Sequence, residues 1–263
     1  MFISNLLRIC CGLILPFTLG IFSANAQEAI DLTQVDNTLE HPHQQGQLEI
    51  TAIGDGVYLH KSYLNIGSWG LVVANGLVVV DNNQAYIIDT PWTDTDTAQL
   101  VSWIKKQGYT LIASISTHSH QDTSGGIGYL NGIGIKTVVS ETTQQLLALS
   151  GQTTATSTFN TNHYELKTGL IEVDFIGPGH TKDNLVVWLP KQQILFAGCL
   201  VKSLDNQSMG YIKESDLTQW PLTLEQLKRQ FNQAKILVPG HGTPGDMTLV
   251  DHSIKLIKTH NNQ

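Results

Sequence analysis

Two imidazoles and a carboxylate alternate in residues 117–123, THSHQDT, directly after the apolar run LIASIS at 111–116. Imidazole nitrogen and carboxylate oxygen are zinc donors. If the chain stays extended there, the side chains of His118, His120 and Asp122 share one face, because strand residues alternate sides. Three donors then converge on one small volume. Taken alone, the same pattern also fits satisfied polar groups at a strand end.

Further donors sit elsewhere in the chain. His180 lies in GPGHT, Cys199 in FAGCL and His241 in VPGHG, each directly after a glycine that follows an apolar run. Glycine lets a backbone approach closely, and strand-end turns are where functional side chains collect. Six donors exceed what one tetrahedral zinc with a solvent position accepts. They suit two zincs, each with three protein ligands and room for water or substrate.

The elements that must position these donors are short. The runs LEITAI, VYLHKSYL, GLVVA, GLVVVD and AYIID read as an antiparallel meander, with Asn75-Gly76 as one of its turns. Residues 94–107 carry apolar side chains at helical spacing and Gly108 stops them. LIASIS is a strand, 136–139 another and 142–150 a short helix. After a polar bridge at 152–162 the plan repeats, with strands at LIEVDFIG, NLVVWLP and QILFAG, a helix at 221–231, the strand AKILVPG and a closing helix at 247–259. Strands followed by helices twice over predict two mixed sheets packed face to face with helices outside.

The first 26 residues stand apart. Arg8 is their only charge, 10–22 is almost wholly apolar, and Ala24-Asn25-Ala26 supplies small residues at a cleavage position. This reads as a secretory signal peptide at 1–26 followed by one domain at 27–263, and hence as a periplasmic protein without a stable membrane anchor. Cys10 and Cys11 fall in that segment. Cys199 is then the lone cysteine in an oxidising compartment, and a metal is the first partner to consider for it. A net charge of −7 is not that of a nucleic-acid binder, so no nucleic-acid partner is expected. His41, His43, His60, His163, His252 and His260 read as surface or helix-face histidines.

The set His118, His120, Asp122, His180, Cys199 and His241 resembles the class B metallo-β-lactamases, most closely their B1 subclass. IIDTPW, GPGHTKDNLVVWLP, FAGCLVKSL and ILVPGHG are similar to that family's segments in the family's order. Glyoxalase-like, lactonase-like and nuclease relatives carry a histidine after the motif aspartate, where Thr123 stands here. The B2 subclass has Asn in place of His118, and B3 lacks the cysteine.

The resemblance implies a four-layer αβ/βα sandwich with two Zn2+ at one edge of the sheets. His118, His120 and His180 hold the first zinc, and Asp122, Cys199 and His241 the second. The implied activity is hydrolysis of the β-lactam amide of penicillins, cephalosporins and carbapenems by a zinc-bound hydroxide, which confers antibiotic resistance on the cell. Asp122 is then also catalytic, orienting the nucleophile, and Lys202 binds the substrate carboxylate. Leu64 and Trp69, in the hairpin YLNIGSW, offer apolar contacts to the substrate. Tyr211 stands where many B1 members place an Asn that helps hold the lactam carbonyl. Trp92 forms either a wall below the metals or core, and Asp89 supports the ligands. Departures are Thr123, where Arg is common, and Ala197, where the family usually has Gly. The partners expected are small β-lactams, and the chain is expected to be a monomer. Another dizinc hydrolase, such as a lactonase or thioesterase, and a non-catalytic secreted zinc-binding protein remain as alternatives.

Overall fold

A computed structural model describes residues 48–261, all within one compact unit. The expected signal peptide, Cys10, Cys11, His41 and His43 lie outside the described residues. None of the described helices is long and apolar enough to cross a membrane.

The first sheet has seven strands in sequence order: β1 (Glu49–Gly54), β2 (Val57–Asn65), β3 (Leu71–Asp81), β4 (Gln84–Ile88), β5 (Thr110–Ile115), β6 (Lys136–Ser140) and β7 (Ser157–Phe159). β1 to β4 are antiparallel, and β4 to β7 run parallel. The second sheet contains β8 (His163–Lys167), β9 (Ile171–Asp174), β10 (Val186–Leu189), β11 (Ile194–Gly198) and β12 (Ile236–Pro239). Only its β11–β12 pair is parallel.

Period-2 alternation builds the layers. On β3, Leu77 and Val79 face the second sheet, where Val187, Phe196 and Val238 meet them. Val78 between them turns outward onto Leu100 and Ile104 of helix α1 (Asp94–Lys106). In the second sheet Val187 and Leu189 point inward. Val186 and Trp188 point outward to Leu224 and Leu227 of α5 (Trp220–Gln230) and to Val250, Ile254 and Ile257 of α6 (Thr248–Asn261). The result is the expected αβ/βα sandwich. Thr93 caps α1 by accepting from the Asp96 amide, and the remaining helices are α2 (Gln121–Ser124), α3 (Ile127–Gly132) and α4 (Glu141–Leu149), the last capped by Ser140.

Several expectations need correction. Asn75-Gly76 is not a turn, since β3 runs straight through it and pairs Gly76 with His60 across β2. The turn falls instead at Asn82 and Asn83, at φ 47° and 62°, a left-handed pair that asparagine tolerates. Gly76 serves close approach, because a Cβ there would strike the His60 ring. His60 itself is buried, at 1% exposure, and not a surface histidine. The bridge at 152–162 contributes the edge strand β7, pairing in parallel with β6.

Candidate metal centre

Five chain segments leave strand ends at one edge of the sandwich, after β4, β5, β9, β11 and β12. They carry Asp89, His118, His180, Cys199 and His241.

The THSHQDT stretch is not extended throughout. β5 ends at Ile115, a loop carries His118, and Asp122 sits in the first turn of α2, with His118 Nε2 3.9 Å from Asp122 Oδ1. The donors are therefore gathered by a loop that tightens into a helical turn. Thr123 holds that turn shut: its Oγ1 donates to the carbonyls of His118 at 2.7 Å and His120 at 3.1 Å. Below it, Asp89 accepts from the Thr117 amide at 2.6 Å and the Thr117 hydroxyl at 2.8 Å. Asp89 lies at φ 55° with no exposure, and burial raises its pKa well above the usual carboxylate range.

Two donor sets form. The ring atoms of His118, His120 and His180 approach within 4.8 Å of one another, with His180 Nε2 3.2 Å from His120 Nδ1. The second set is tighter. Asp122 Oδ2 lies 3.1 Å from His241 Nε2 and 3.4 Å from Cys199 Sγ, and that sulfur lies 3.3 Å from His241 Nε2. Bonds of about 2.0 to 2.3 Å to a tetrahedral zinc put its ligand atoms about 3.3 to 3.8 Å apart. The 3.1 to 3.4 Å spacings among Asp122, Cys199 and His241 lie close to that range, and the histidine trio gathers three ring nitrogens within 4.8 Å. Asp122 belongs to both regions, since its Oδ1 faces His118 while Oδ2 faces Cys199 and His241.

The protonation chemistry agrees. Burial lowers the pKa of His118 to about 4 and drives that of His180 well below its usual value, so both rings are neutral ligands at pH 7. His118 Nε2 is buried without a hydrogen-bond partner, a cost that a metal bond removes. Burial, reinforced by Asp122, pushes the Cys199 thiol well above its usual pKa. A cation bound there reverses that, because a coordinating thiol deprotonates. Desolvation disfavours the charge of Asp122, but a hydrogen bond to His241 and the pull of the nearby histidines in their protonated form outweigh it and hold its pKa far below the usual value.

The second set depends on two local devices. The β11–β12 register shifts between Phe196 and Gly198, and Gly198 takes φ 53°, which re-aims the chain into Cys199. Ala197 is not among the residues with positive φ, so its Cβ is accommodated. The His241 loop is held by β3: Val73 O lies 2.5 Å from His241 Nδ1, and Asn75 Nδ2 donates to Pro239 O at 2.8 Å and Gly242 O at 2.9 Å.

The predicted substrate residues fall around this centre unevenly. Lys202 is buried, its Nζ 5.4 Å from the centre of the Trp220 ring, where burial lowers its pKa while Cys199 and Asp122 favour its charge. Tyr211, 44% exposed, meets the His120 ring edge-on at 5.4 Å. Trp69 is 59% exposed on the hairpin, but Leu64 is buried with Ala74 and Trp92. The open apolar contact on that arm thus falls to Trp69, and Trp92 is core.

Two neighbours escaped the sequence reading. Glu214 Oε2 lies 2.8 Å from His120 Nε2. Asp183, only 2% exposed and three residues after His180, has neither carboxylate oxygen hydrogen-bonded, and its charge favours protonation of His118. The motif GPGHTKDN contains Asp183 in plain view, but nothing in the sequence marks its burial.

No family model matches the chain. It is 42% identical over 203 residues to the metallo-beta-lactamase type 2 of Pseudomonas aeruginosa, covering 77% of this chain and 81% of that protein. It is 35% identical over 215 residues to the metallo-beta-lactamase type 2 of Bacteroides fragilis, covering 81% and 86%. Among solved structures, the DIM-1 metallo-beta-lactamase exposed to ceftazidime superposes with a TM-score of 0.81 at 43% identity, covering 82% of this chain and 99% of that one. At these identities and coverages, the chain belongs to the class B metallo-β-lactamases.

Proposed function

We propose that the chain is a zinc-dependent β-lactamase of the B1 kind, acting on penicillins, cephalosporins and carbapenems. It is proposed to work as a monomer in the periplasm, as a single domain at 27–263 after removal of residues 1–26. His118, His120 and His180 hold one zinc, and Asp122, Cys199 and His241 a second. What carries the reading is the triangle of Asp122 Oδ2, Cys199 Sγ and His241 Nε2, all within 3.4 Å of one another and beside a histidine trio. A thiolate in that triangle, together with His118 in the trio, is what sets B1 members apart from the other hydrolases of the scaffold.

Zinc bound at such a site supplies Lewis acidity and brings the pKa of water to about 7. The chain's own residues do the rest. Asp122 Oδ1, facing the gap between the two donor sets, accepts a hydrogen bond from the attacking water and orients it. Addition of that water oxygen to the lactam carbonyl carbon breaks the C–N bond, and the proton released ends on the departing nitrogen. Lys202 offers its ammonium to the substrate carboxylate, a charge-assisted contact contributing about 1.5 to 3 kcal/mol. Tyr211 stands at the rim beside His120, and Trp69 covers the bound ring system from the hairpin, which Leu64 anchors.

A chromogenic cephalosporin and a zinc count on the same sample test the reading. Turnover with two zincs per chain is expected, and one zinc in Cys199→Ser. A full zinc complement without turnover leaves a metal site and rejects the β-lactamase.

A further inference from the structure

The first donor set is gripped from outside by one stretch of chain. Residues 211–216 form no helix or strand, yet three contacts tie them to two of the three histidines and a fourth to the glycine before His180. Tyr211 meets the His120 ring edge-on. Glu214 Oε2 accepts from His120 Nε2 at 2.8 Å. Ser215 Oγ donates to His180 O at 2.8 Å, and the Asp216 amide donates to Gly179 O at 2.9 Å. The stretch closes on itself through the Ser215 amide and Ile212 O at 3.1 Å. The second donor set is held by other parts, namely β3 at His241 and the β11 bulge at Cys199.

Within the trio, His120 is the ring at hydrogen-bond distance from a carboxylate, whereas the nearest ion-pair contact of His118, to Asp122, is 3.9 Å long. Its two nitrogens are divided: Nδ1 faces His180 Nε2 and the trio, while Nε2 faces Glu214. A carboxylate on the far nitrogen fixes which nitrogen carries the proton, stops the ring from turning and makes the inward nitrogen a stronger donor. The geometry points to Glu214 as a positioning residue for the first zinc, within a clasp at 211–216 that sets the affinity of that zinc independently of the second. This rests on the two-zinc reading above. The same clasp carries Tyr211 on the substrate rim, so one loop holds a first-site ligand through Glu214 and borders the substrate through Tyr211.

The exposed position of Glu214, at 55%, makes its replacement benign for folding. The experiment removes metal from the wild type, Glu214→Gln and Glu214→Ala, then titrates zinc against a competing chelator, and cobalt in parallel. The near-ultraviolet sulfur-to-cobalt band reports the Cys199 site, and the visible bands report the histidine site. Glu214→Ala is expected to lower affinity at the histidine site about 10 to 100-fold with the sulfur band unchanged. Glu214→Gln, whose amide oxygen still accepts a hydrogen bond, is expected to fall between. Wild-type affinities in both variants, or equal losses at both sites, overturn the assignment. A wild type that binds no metal overturns the two-zinc reading instead.

Discussion

Lys202 shows how one residue's surroundings set what its replacement does. Its backbone is fixed by a bond from its amide to Ser253 Oγ at 2.8 Å, and its ammonium lies over the Trp220 ring, which itself donates to Leu200 O at 2.8 Å. The ammonium is thus held before substrate arrives. Lys202→Ala is expected to raise KM and lower kcat/KM by about 10 to 150-fold, the equivalent of one charge-assisted contact. A fall in kcat with KM unchanged contradicts anchoring. Tyr211→Asn is expected to reorder substrates more than it changes zinc content, because the Tyr211 ring touches His120 only edge-on. Equal kinetics across several substrates sink that expectation. At this scale the six donors were legible because each is a chemically distinctive residue beside glycine or in an alternating motif. Glu214 was not, since a surface glutamate becomes informative only when the chain closes over 94 residues onto His120.

The elements matter through where their ends lie. Short apolar runs bounded by turn residues made β2, β4, β5 and β10 to β12 readable, and apolar periodicity with end signals made α1, α4, α5 and α6 readable. The helices α2 and α3, of 4 and 6 residues, are too short for a 3.6-residue period to appear. Asn75-Gly76 misled because the pair most typical of a hairpin turn is used for tertiary contact. Gly76 makes room for His60, and Asn75 reaches the His241 loop. Asn75→Ala removes two hydrogen bonds, one buried and one partly buried, that hold the His241 loop to β3. A stability loss of about 2 to 4 kcal/mol is expected, together with weaker zinc binding at the Cys199 site. Denaturant midpoints and zinc titration check this, and wild-type values in both contradict it. Gly240→Ala is harsher, because the new Cβ would lie 2.5 Å from Cys199 Sγ and 2.8 Å from the Cys199 backbone nitrogen.

For the molecule as a whole, the sandwich buries titratable groups beneath the metal edge, and acid should reveal them. Burial lowers the pKa of His60 to about 4 in the fold, against 6.5 when unfolded. The unfolded chain therefore takes up this proton first. The stability this group supports is complete above pH 6.5 and is lost as pH falls from 6.5 toward 4, at about 1.4 kcal/mol per pH unit. Metal-free protein is expected to weaken over that window, and His60→Gln to weaken less steeply; parallel curves contradict the account. The layered architecture was legible as a whole, since two successive strand-then-helix halves leave few alternatives to packing sheet on sheet. The closeness of the donor sets was not, because five strand ends from two sheets meet only after the halves pack. The most direct test of the account measures hydrolysis of a penicillin, a cephalosporin and a carbapenem by purified mature protein, before chelation, after it, and after zinc is returned. The account predicts turnover that disappears with the metal and returns with it. Absence of turnover on all three at full zinc occupancy would contradict it.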